Sequence, residues 1–160
     1  MLAVKRFERL VAEGMVILSA LLLAAIVGLF VMEIFMRYAM NAPTKWSNDV
    51  ISFIMPAMIF LALPEVTRRN QHIAITFLVE TLGERAAVVW GRVLAFVSAC
   101  VSAVVAWIIA ASAFKQFSTG IMTNTVVQVP KWALLSPISM SFGIVALIFL
   151  TTAIAEREEA

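Results

Sequence analysis

Four apolar stretches, separated by short polar segments, divide the chain at residues 10–36, 50–66, 86–117 and 132–155. A helix needs roughly 17–25 predominantly apolar residues to cross the hydrocarbon core of a bilayer. The pattern therefore predicts an all-α integral membrane protein with four transmembrane helices, residues 1–160 forming a single membrane domain. The second stretch is short and carries Pro56 and Pro64. Proline is tolerated in membrane helices because neighbours re-satisfy the freed carbonyl, so a kink near Pro56 is expected. The third stretch is long and is expected to tilt or to project from the membrane. The connections are residues 37–48, 67–85 and 118–131, the last with Pro130 near its end. Residues 72–82 alternate apolar and polar positions, which predicts a short interfacial helix between helices two and three. There is no internal repeat and no low-complexity tract.

Composition excludes the alternatives to a membrane fold. The 160 residues are 62% hydrophobic and 14% charged, against about 45–50% and 25% in average soluble domains. A soluble fold has no interior large enough for that apolar surface, whereas a bilayer does. The net charge of +2 is small and the basic residues are scattered, which argues against a nucleic-acid partner. A lone cysteine, Cys100, makes no internal disulfide and no dithiol pair, and reads as a small packed hydrophobe. Lys5, Arg6 and Arg9 precede the first apolar run as in a signal peptide, but that run is too long and lacks a cleavage site, so it reads as a retained anchor.

Charge then orients the spans. Lys5, Arg6, Arg9, Arg68, Arg69, Arg85, Arg92 and Arg157 fall on one side, and Arg37, Lys45, Lys115 and Lys131 on the other. The excess of basic residues marks the cytoplasmic side. Both termini and the second connection are therefore expected in the cytoplasm, with Thr44 and Thr123 facing the periplasm. Arg92 and Lys115 are expected to snorkel to opposite surfaces. Trp46, Trp90 and Trp132 fall near expected interfaces, where indoles concentrate. Trp107 is deeper and is expected to pack against another helix.

An ionisable residue in a span is a functional hypothesis by default. Glu33 and Arg37 are four apart at the outer end of helix one, which places them on one face within pairing distance. They read as a structural pair near the headgroups, with a coupling-ion or substrate site as the alternative. Asp49, at the start of helix two, complements the helix dipole and can cap free backbone donors. Glu13 and Glu65 lie near helix ends where water is expected to reach them. His72 stands without a second histidine, and a metal site needs further strong ligands. Nothing in the sequence pairs a nucleophile with a base, cradles a phosphate in glycines or asks for a cofactor, so enzyme activity is not expected.

One ordered set of residues is more specific. Arg37-Tyr38 ends helix one; Asn41, Pro43, Trp46 and Asp49 follow, opening helix two; Arg68-Arg69, Gln71 and His72-Ile73 come after it. Val129-Pro130-Lys131-Trp132, with Pro137 beyond, opens helix four. In order and spacing this resembles the DctQ-type small membrane subunit of tripartite ATP-independent periplasmic (TRAP) transporters. The likeness covers nearly the whole chain in length, span count and orientation. Two positions depart from the family pattern: Asp49, often Glu there, and Leu63-Pro64-Glu65, where small residues are usual.

The resemblance implies a bacterial inner-membrane, multi-pass protein without cofactors. It implies three kinds of partner: a large membrane subunit of roughly 12 spans carrying the ion and substrate sites, a periplasmic substrate-binding protein, and phospholipids. The small subunit would pack against the static scaffold of the large one and support sodium-driven uptake of an organic anion, a dicarboxylate or a sugar acid such as sialic acid. Glu33, Arg37, Tyr38, Asn41, Lys45, Trp46, Asp49, Arg68, Arg69 and His72 would then be structural or interface residues toward subunit or lipid headgroup. Two rivals are a small four-helix multidrug exporter acting as a dimer, which would need a carboxylate in mid-helix, and a membrane-bound enzyme, which one Cys and one loop His argue against.

Overall fold

The computed structural model describes residues 2–42, 44–82 and 84–155, and the side chains of all of these except 2–5, 70–82, 84, 85, 87, 88 and 155. Four α-helices account for most of these residues: α1 (Leu2–Ala39), α2 (Ser47–Leu82), α3 (Glu84–Thr119) and α4 (Lys131–Ala155). All four contain a stretch long and apolar enough to cross a membrane, Arg6–Ala39, Ser47–Arg69, Val89–Thr119 and Lys131–Ile154. The protein is thus an all-helical, multi-pass membrane protein with the four spans that the apolar pattern predicts.

The helices outrun their apolar segments. α1 has 38 residues and α2 and α3 have 36 each. At 1.5 Å per residue these are about 55 Å long, well beyond a hydrocarbon core of about 30 Å. Residues 67–82, read from the sequence as part of a connection, are helical and continue α2 without a break. Pro56 and Pro64 both lie inside α2. Neither ends it, and Pro64 is fully buried.

Each helix buries a narrow stripe. Ala12, Met15, Ser19 and Ile26 do so on α1, Ile51, Leu61 and Pro64 on α2, Ala95, Ala99 and Ser102 on α3, and Ser141, Val145 and Ile148 on α4. Spacings of three, four and seven mark one face of a helix. The stripes pair α1 with α2 and, most extensively, α3 with α4, while α2 joins the pairs by packing on α4 and α3. Among the described residues α1 and α3 are not in contact. α1 and α3 therefore lie on opposite sides of α2 and α4, which both touch them and each other.

Small polar side chains bridge the pairs. Ser19 Oγ donates to the Met58 carbonyl at 2.8 Å and Ser139 Oγ to the Ala106 carbonyl at 3.2 Å. Phe60 and Phe142 pack at 5.7 Å between α2 and α4. On its open side the α3–α4 pair leaves a groove of about 540 Å³ floored by Ala99, Ala103, Ala106, Gly143 and Ala146. Cys100 and Trp107 line it. Both correct the sequence reading: Cys100 is exposed and Trp107 is 77% exposed, so neither is packed inside this chain. Periodicity placed them in a span but could not distinguish the inward face of α3 from the outward one.

Candidate functional site

The turn between α1 and α2 begins with a left-handed residue. Asn41 has φ 53°, a conformation asparagine tolerates better than most side chains, and the Ala42 N–H bonds the Met36 carbonyl at 3.1 Å. This reverses the chain and brings Thr44 and Ser47 over the last turn of α1. Glu33 is their acceptor. Ser47 Oγ donates to Glu33 Oε2, and Thr44 Oγ1 reaches both Glu33 Oε2 and Ser47 Oγ, the latter at 2.9 Å. Arg37 Nη2 donates to the other carboxylate oxygen, Oε1, at 3.0 Å. The Glu33 side chain is 13% exposed and Ser47 is buried, whereas Arg37 is open to its surroundings.

The same end of the molecule receives the α3–α4 connection. Gly120 closes α3 with φ 62°. The following residues then pair as a small antiparallel bridge between Met122 and Pro130. Thr123 N–H donates to Val129 O at 3.0 Å, Lys131 N–H to Ile121 O at 3.1 Å, and Val129 N–H to Thr123 Oγ1 at 2.9 Å. This hairpin is fastened to α2, because Val127 N–H donates to Asp49 Oδ2 at 3.3 Å. Asp49 does lie in the first turn of α2. Its hydrogen bond nevertheless goes to a loop 78 residues away instead of to its own helix. Trp132 meets Phe117 edge-on at 5.4 Å beneath the hairpin. Tyr38, Lys45 and Trp46 project outward around the cluster.

A second polar cluster occupies the opposite end. Glu65 sits on α2 with its side chain 3% exposed. Arg68 clasps it with two bonds of 2.8 Å from Nε and Nη2, and Arg69 Nε adds a third at 2.6 Å. The expectation that water solvates Glu65 is corrected here: the residue is buried against its neighbours, and the two guanidiniums compensate its charge. On α1, Arg9 Nε donates to Glu13 Oε1 at 2.7 Å. Thr151 of α4 donates to Glu8 Oε2 at 3.2 Å, so α1 and α4 are tied at this end too.

Of the residues singled out from sequence, the structure brings Glu33 and Arg37 together, sets Asn41 and Asp49 in the same turn region, and gathers Arg68 and Arg69 on Glu65 at the far end. His72, Gln71 and Ile73 lie outside the residues whose side chains are described, as do Lys5 and Arg85; Pro43 and Arg157 lie outside the described residues altogether. Sequence reasoning missed Thr44 and Ser47. A hydroxyl residue just ahead of an apolar helix is an N-terminal signature that could have flagged Ser47. Among the described residues no three His, Cys, Asp or Glu side chains are grouped as metal ligands would be.

No curated protein and no solved structure matches the chain. A family model does, that of the tripartite ATP-independent periplasmic transporters, DctQ component, over residues 26–158 of the 160. That region holds the Glu33 cluster, the Asp49 fastening and the Glu65 cluster. With four spans and this family match, the chain belongs to the DctQ family, a membrane component of TRAP transporters and not a family of enzymes.

Proposed function

We propose that this chain packs against the static scaffold of the large TRAP membrane subunit in a bacterial inner membrane. There it supports sodium-driven uptake of an organic anion, a dicarboxylate or sugar acid, handed over by a periplasmic binding protein. The observation that carries this reading is the combination of charge-free span centres with largely uncovered spans. Residues 14–32, 50–64, 93–114 and 132–155 contain no Asp, Glu, Lys, Arg or His. A transport pathway needs polar groups or broken helices at mid-membrane. At the same time, no more than 22% of the apolar core of any candidate span is buried within the chain. The α3–α4 groove, floored by alanine and glycine, suits the close approach of another helix in lipid.

The test is reconstitution in liposomes under a sodium gradient. Uptake is expected when this chain, the large subunit and the binding protein are all present, and no uptake from this chain alone. Organic-anion uptake by the isolated chain would overturn the reading. A second measurement places the Glu33 cluster. Glu33→Gln and Asp49→Asn should leave the sodium affinity and Hill coefficient of uptake unchanged once uptake is normalised to assembled complex. A shift in either parameter would make these carboxylates part of ion coupling.

A further inference from the structure

Arg6 and Arg9 precede the charge-free residues 14–32 of α1, and Arg68 and Arg69 follow the charge-free residues 50–64 of α2. Because α1 and α2 are packed neighbours running in opposite directions, both pairs lie at one end of the molecule. Two ion-paired groups gather there: Arg9 holds Glu13 at 2.7 Å on α1, and Arg68 and Arg69 share Glu65 on α2. Three guanidiniums face two carboxylates, which leaves one positive charge uncompensated. Arg6, exposed one turn before Arg9, adds a fourth guanidinium and buried Glu8 a third carboxylate, so the excess stays at one positive charge.

The way these arginines are bonded says more than their number. Arg9 and Arg69 each engage their carboxylate through Nε. Among the described residues the terminal Nη groups of both have no partner, and their side chains are 66% and 74% exposed. Glu65 is buried and its two oxygens already accept three bonds, so it orients the guanidiniums without competing for what they bind. A guanidinium fork held by one edge presents two parallel donors to a pair of phosphate oxygens. Where a span leaves the hydrocarbon, the phosphate within reach is that of a lipid headgroup, and a basic surface there attracts anionic lipids.

We propose that Arg9 and Arg69, positioned by Glu13 and Glu65, form a binding site for the phosphate of an anionic phospholipid. The site stands independently of the transporter reading, since it requires only that α1 and α2 span a bilayer. The experiment reconstitutes the purified full chain in bilayers of phosphatidylglycerol and phosphatidylcholine. Spin-labelled versions of each lipid report the immobilised fraction. Wild type is expected to immobilise phosphatidylglycerol several-fold over phosphatidylcholine, with the preference falling as salt rises. Arg9→Gln with Arg69→Gln should bring the two lipids level, while Lys115→Gln, exposed near the opposite end of the molecule, should keep the preference. Equal immobilisation in wild type, or an unchanged preference in the double variant, would overturn the proposal. Arg69→Lys keeps the charge and loses the fork; it should reduce the preference even if the double variant fails to insert, and an unchanged preference would also overturn the site. Displacement of phosphatidylglycerol by millimolar inorganic phosphate would assign the forks to a free anion and refute the lipid.

Discussion

Both ends of this molecule are organised around a carboxylate, Glu33 part-buried at one end and Glu65 buried at the other, yet the two are built differently. At one end Glu33 collects a guanidinium from its own helix and two hydroxyls from residues 11 and 14 positions away. At the other, Glu65 collects both of its guanidiniums from the next turn of α2. The first arrangement exists only when the α1–α2 turn is closed, and the Asp49–Val127 bond extends it to the α3–α4 hairpin. The second could form on an isolated helix. A carboxylate that joins distant segments fixes tertiary structure, whereas one that joins i, i+3 and i, i+4 neighbours fixes the surface of a single helix. The Glu33 cluster is thus a fastening and the Glu65 cluster a prepared charged surface.

The largest expected effect is all-or-none. If the basic-residue bias orients the chain, the two clusters face opposite sides of the membrane, the hairpin facing the periplasm. Asn124 is exposed in the hairpin. Asn124→Cys in a Cys100→Ala background should therefore react with an impermeant maleimide added outside intact spheroplasts. Reaction only after lysis would exchange the sides of the two ends.

Next in size is Glu33→Ala, which takes the acceptor from Thr44, Ser47 and Arg37 at once. A several-fold loss of monodisperse chain after detergent extraction is expected, and a wild-type yield would remove Glu33 from the fastening. Glu33→Gln should do less harm, because one amide oxygen can still accept from the two hydroxyls while only the Arg37 pair is lost.

Glu65→Gln tests the other side of the comparison. It replaces a doubly clasped carboxylate with one acceptor and one donor, and a buried polar group left short of partners costs about 1–3 kcal/mol. The loss should appear as a lower thermal midpoint with the α1–α2 turn intact. If disulfide trapping across that turn were also impaired, the arginine end would be a tertiary fastening as well.

The smallest effects concern Asp49. Asp49→Ala removes one hydrogen bond to Val127, a change of about 1 kcal/mol. Asp49→Asn keeps an oxygen in place and should fall within about 0.5 kcal/mol of wild type. Limited proteolysis of the 120–130 hairpin would report both, with faster cleavage expected for alanine alone. Equal cleavage in all three proteins would mean that the hairpin holds itself together through Thr123 and Val129.

The sequence by itself determined the parts that depend on nearby residues. Apolar run length specified four spans, because the cost of exposing backbone and charge to hydrocarbon leaves a long apolar helix little choice. Helical spacing predicted that Glu33 would meet Arg37, and the ordered motif from Arg37 to Asp49 carried the family. What required the tertiary structure is everything that depends on which face of a helix points inward. Four almost uniformly apolar helices carry no amphipathic stripe, so period alone could not place Cys100 and Trp107 outward or Glu65 inward. Nor could it foresee that residues 67–82 extend α2, since alternating polarity on a helix that leaves the membrane looks much like a separate interfacial segment. The Glu33–Ser47 and Asp49–Val127 bonds were out of reach for the same reason. Each joins residues brought together by chain reversal and helix packing, and no local propensity encodes that meeting.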